Sequence, residues 1–227
     1  MSFNFGTPAN PSDAILSLNN PNAALAVRDN ATNTTSNSAP VIFRVVSQNP
    51  IQTSRVFKAA LTGPWKEGSA AEDGDKNLEA EGWDSEAMHI VLSAIHHRTR
   101  NIPRKVTPEM LCNIVVLVDY YELHDTMYFF LDTWIYSLRY SIPRTYDRDL
   151  VLWICMTSVF TSPDIHKTVM NVAISHCQGE FQPLDLPIPE RVIDHINTQR
   201  EAALKQFGTA LDDMKGKASS GYGRLLV

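Results

Sequence analysis

The densest apolar pattern in the chain runs from Thr107 to Leu138, where Met110, Leu111, Ile114, Val115, Val118 and Tyr121 recur at three- and four-residue steps. A second series follows at Met127, Phe130, Leu131, Trp134, Ile135 and Leu138. Each is the wide apolar face of a 3.6-period helix. Thr107–Pro108 reads as a helix start and Asp125 as the cap of the second helix. The two helices pack as an antiparallel pair joined around Tyr121–His124. Elsewhere, periodicity predicts helices from Ser85 to about His97, with Ala87, Ile90, Val91, Ala94 and Ile95 inward, and from Arg148 to Phe160 behind an Asp147 cap. Further helices run from Ser162–Pro163 to about His176 and from Pro189 to Phe207, the last stopped by Gly208. VIFRVV, from Val41, suits a strand, and IQTSRVFKAAL after Pro50 a helix ending by Gly63–Pro64. A weaker strand is expected around Asn77–Ala80.

Polar stretches separate these elements. Residues 1–40 carry only Asp13, Arg28 and Asp29 as charges and are crowded with Asn, Ser, Thr, Ala and Pro; they are expected to be a disordered tail interrupted by a short strand at Asp13–Leu18. Residues 66–86 set two lysines against eight acids, the pattern of an exposed loop. Residues 98–105, RTRNIPRK, hold four basic residues and no acid. The expected organisation is the tail, a domain over 41–140, a helical extension over 141–208 and a flexible end over 209–227.

Composition narrows the function classes. A net charge of -5 argues against general affinity for nucleic acid or anionic membrane, although Arg98, Arg100, Arg104 and Lys105 form a local basic patch that could meet phosphate. Cys112, Cys155 and Cys177 sit in apolar helical pattern, as buried thiols of a reducing compartment do, so the cytoplasm or nucleus is the expected location. No basic segment precedes an apolar one at the amino terminus, so no signal peptide is expected. His89, His96 and His97 lack metal-ligand spacing, and no nucleophile elbow or phosphate loop is present. No enzyme, metal or cofactor is expected. Outward aromatics are what a protein interface uses. The candidate partner contacts are therefore Tyr120, Tyr121 and Phe129, with Lys66 and Glu67 from the acidic loop. Trp65 and Trp83 would pin that loop's ends.

Several motifs in order carry a resemblance: FRVVSQNPIQTSRVFKAALTGPWKEG at Phe43–Gly68, GWD and MHIVLSAIHHRTRNIPRKV to Val106, LVDYYELHD at Leu117–Asp125, FLDTWI at Phe130–Ile135 and DRDLVLWICMTSVF at Asp147–Phe160. With LPIPERVIDHINTQRE they resemble fungal proteins carrying a BTB/POZ domain. The resemblance implies an α/β (α+β) fold, a small mixed sheet on a helical cluster with a carboxy-terminal helical extension. It implies a non-catalytic protein–protein interaction domain that self-associates as a homodimer, or an adaptor to a cullin-type ubiquitin ligase scaffold. A weak nucleic-acid-associated protein using residues 98–105 is the reading from another class. The chain departs from the family at SQNPIQ, where Asn49 and Pro50 replace the family's His and Leu.

Overall fold

The computed structural model describes residues 23–28, 40–63, 76–160 and 162–222. The chain divides into two compact units, Met1–Leu138 and Arg139–Val227.

In the first unit, β1 (Ala23–Arg28) lies at the centre of a three-stranded sheet, between β2 (Val41–Val45) and β3 (Lys76–Glu81). β1 pairs antiparallel with β2 and parallel with β3, so that Leu25 stands opposite both Phe43 and Leu78. Period-two alternation sends Ala23, Leu25 and Val27 into the core at 2% exposure or less. This strand corrects the expectation of disorder across residues 1–40. The Asn-rich composition around it hid a six-residue AALAVR alternation whose Ala23, Leu25 and Val27 are buried once the strand is flanked on both sides. The strand expected at Asp13–Leu18 lies outside the described residues.

One expected helix after β2 is two: α1 (Gln48–Thr53) and α2 (Arg55–Thr62). Ser54 separates them in extended conformation, and its side chain accepts from the Phe57 amide as the cap of α2. α3 (Ser85–Ile95), capped by Asp84, buries every residue from Ile90 to Ile95. α4 (Pro108–Tyr120) starts as expected, with Thr107 accepting from the Met110 amide and proline in the first turn. α5 (His124–Leu138) begins one residue before Asp125, which therefore sits inside the first turn, where a carboxylate favours the helix dipole. α4 and α5 bury Leu111, Ile114, Val118, Leu131 and Trp134.

The second unit contains α6 (Arg148–Val159), α7 (Pro163–His176) and α8 (Glu190–Tyr222). α6 is buried continuously from Leu150 to Thr157, matching a helix that is apolar on most faces. Asp147 caps it through the Leu150 amide, whereas Ser162 makes no side-chain cap to α7. α8 does not stop at Gly208; it continues to Tyr222. The flexible end expected over 209–227 is thus helical as far as Tyr222.

Eight helices against three strands of five or six residues make this, over the described residues, a mostly helical fold with a small open three-stranded sheet. That replaces the α/β, BTB/POZ-like class expected above. The strands are short and the sheet closes on nothing, so most of the ordered backbone satisfies its hydrogen bonds within helices. No architecture specific to BTB/POZ domains is shown.

Candidate functional site

The turn between α4 and α5 is the most tightly built surface feature of the first unit. Glu122 takes a left-handed conformation (φ 53°), and the Leu123 amide reaches back to the Val118 carbonyl at 2.9 Å, closing the end of α4. Ser54 clamps this turn from α2. Its hydroxyl donates to the Tyr121 carbonyl at 2.6 Å while its oxygen accepts from the Phe57 amide at 3.0 Å. Arg55 adds an exposed ion pair to Glu122 at 2.7 Å. Between these elements lies an open groove of about 810 Å³, lined by Thr53, Arg55, Lys58, Asp119, His124 and Asp125 among others. Its lining is charged and solvated.

Tyr120 and Tyr121 lead in opposite directions. Tyr121 is buried and stacks on Phe57, with centroids 4.2 Å apart and planes within 8°. Burial pushes its phenol far above the ordinary tyrosine range, so it stays protonated. As a candidate contact residue it is instead core. Tyr120 is 58% exposed and leans on Trp83 at 5.0 Å, which fixes its ring without covering it.

The outward face of α5 carries the strongest unpatterned apolar exposure. Phe129 is 73% exposed, and Tyr128 and Tyr136 stand near it at 61% and 63%. Positions 129 and 136 are two turns apart, about 10 Å along the axis. Asp125 and Asp132 are exposed on the same side. Phe130 and Trp134 form the inner counterpart of this row, with centroids 6.0 Å apart, and the Trp134 indole N–H donates to the Pro103 carbonyl at 3.0 Å. The outward aromatics therefore stand on a fixed base. Sequence reasoning did not single out Tyr128 and Tyr136, although Tyr136 shares with Phe129 the side opposite the buried Leu131–Trp134–Ile135 series and Tyr128 borders that series. Lys66 and Glu67, and Trp65, lie outside the described residues.

The basic connector is short and partly spent on structure. Arg100, Arg104 and Lys105 are exposed, while Arg98 is half-buried and its amide closes the end of α3 on the Ser93 carbonyl at 2.8 Å. Just before it, His96 is buried at 7% exposure. Its Nδ1 lies 2.9 Å from the Leu92 carbonyl and its Nε2 accepts from the Val46 amide at 3.2 Å. Those two partners demand the neutral ring with the proton on Nδ1. Burial is the largest effect and lowers its pKa; the hydrogen bonds with Leu92 and Val46 oppose it, and the nearby Arg98 and His97 add smaller lowering effects. His96 thus ties α3 to the end of β2 and is a structural histidine.

In the second unit, a cleft of about 430 Å³ is lined by Thr157, Ser158, Pro163, His166, Lys167, Arg191 and Val192. The Thr157 hydroxyl gives its proton to the Trp153 carbonyl at 2.8 Å, so its oxygen must accept from Nδ1 of His166 at 3.1 Å. This hydrogen bond holds the His166 ring against α6. Among the described residues, no group of histidine, cysteine and acidic side chains could hold a metal ion. Cys112, Cys155 and Cys177 are buried and unbridged. No described helix is long and apolar enough to cross a membrane.

No protein-family model matches the chain, and no curated protein does. The resemblance to fungal BTB/POZ proteins is therefore corrected: it rested on short motifs, and neither a family model nor a curated protein supports it. The ubiquitin-ligase adaptor role, the homodimer and the fungal origin that rested on the resemblance lose their support with it.

Proposed function

We propose that the chain is a non-catalytic protein–protein interaction module whose contact surface is the outward face of α5. The observation that carries this reading is the exposure of Tyr128, Phe129 and Tyr136 on one rigid helix. Large aromatics are costly to leave in water and are enriched where partners bury them. Asp125 and Asp132 stand among these aromatics on the same side of the helix, so the fitting partner presents an apolar surface that also carries lysine or arginine. The three buried, unbridged thiols suit a reducing compartment, the cytoplasm or nucleus.

The test is quantitative affinity capture with the wild-type chain and a Phe129→Ser/Tyr136→Ser variant, both checked for native circular dichroism. The reading expects a defined set of proteins enriched by the wild type and lost from the variant. An identical set from both would overturn it, because the binding surface would then lie elsewhere.

A further inference from the structure

The distal half of α8 is exposed on every face: each residue from Glu201 to Lys217 is open to solvent. A segment of this length, about 25 Å, is marginal as an isolated helix, and Gly208 and Gly216 within it each weaken it further. Such a helix needs a partner. Its sequence says where the partner lies. Leu204, Phe207, Leu211 and Met214 are exposed at 59%, 66%, 38% and 58%, and their 3-4-3 spacing is an a/d heptad seam.

We propose that this seam binds a second copy of the same chain, two α8 segments pairing antiparallel. The seam is self-complementary. With Leu204 and Leu211 at a and Phe207 and Met214 at d, antiparallel pairing about the centre of the seam sets Leu204 against the second copy's Met214 and Phe207 against its Leu211. The flanking e positions are then Glu201, Gly208 and Lys215. Antiparallel helices bring e positions to e positions, so Glu201 of each chain meets Lys215 of the other twice, by symmetry. Gly208 meets Gly208 at the axis, where Cβ atoms are absent and the backbones can come close. The opposite flank places Ala210 against Ala210. Small residues on both flanks leave room for Phe207 in the seam.

A parallel pair gains none of this. There g positions meet e positions, which places Ala203 against Gly208 and Ala210 against Lys215, with no opposite charges at either. Glu201 and Lys215 would be fourteen residues apart, about 21 Å along the axis. The charge pattern therefore selects orientation as well as partner.

The experiment is sedimentation analysis with light scattering on the full chain over a concentration series. We expect reversible dimerisation below about 100 μM, abolished by Leu204→Ser/Leu211→Ser; both positions are exposed, so circular dichroism should remain native in unit cores. Glu201→Lys and Lys215→Glu should each weaken dimerisation about tenfold, by turning two attractions into repulsions, and the double reversal should restore it. A monomer throughout the series overturns the proposal. So does a dimer whose affinity the double reversal fails to restore, since that indicates parallel pairing or another face. Either failure leaves the α5 surface untouched, because its capture experiment reads different residues.

Discussion

Ser54 does two jobs with one hydroxyl, and each can be measured. It caps α2 and holds the α4–α5 turn through the Tyr121 carbonyl, a contact spanning 67 residues in sequence. Ser54→Ala removes the cap and leaves a buried carbonyl without its donor, so urea denaturation should show a loss of about 2 kcal/mol. His96 makes a second residue-scale prediction. Its folded pKa lies below the ordinary 6.5, so the unfolded chain takes up a proton more readily. The stability from neutral His96 is complete above pH 6.5 and is lost as pH falls from there through the folded value. His89 and His166 are lowered by burial too and act in the same direction. Stability measured by urea titration should therefore fall as the pH drops below 6.5, and His96→Gln should flatten that fall. A stability that rises on acidification would contradict the hydrogen-bond pattern. Neither residue could be singled out from sequence. Ser54 and Tyr121, like His96 and Val46, are brought together by tertiary folding, and no local pattern encodes such a pair.

At the level of elements, the helix starts at Thr107 and Asp147 were legible because a cap and a period coincide there, whereas Asp125 and Ser162 do not cap their helices. Thr107–Pro108, Asp147 and the Leu111–Val118 series lie where the residues indicate. Failures came where two signals conflicted. Composition outweighed alternation at Ala23–Arg28, because a central strand is stabilised by neighbours distant in sequence. Gly208 was read as a stop, yet a glycine costs a helix only about 1 kcal/mol, and the apolar spacing runs straight through it. The Leu204–Met214 row was readable by extending that spacing. Of the candidate contacts, Phe129 and Tyr120 are exposed and Tyr121 is core. Adjacent aromatics at a helix end give no sequence signal of which is core; here the stacking of Phe57 on Tyr121 decides it.

For the molecule as a whole, sequence patterns identified helices better than kinship. The motif resemblance implied a family that no comparison supports, whereas hydrophobic period and capping describe most of the helices. What the two units share is a helix with exposed large apolar residues, aromatic on α5 and mainly aliphatic on the open distal half of α8. This is the basis for reading the chain as an interaction module. The most direct test places a photo-activatable phenylalanine analogue at position 129, with the same analogue at exposed Glu79 as the control. The account predicts discrete protein adducts from position 129 and none in common with position 79. Adducts absent from position 129, or identical at both positions, would contradict it.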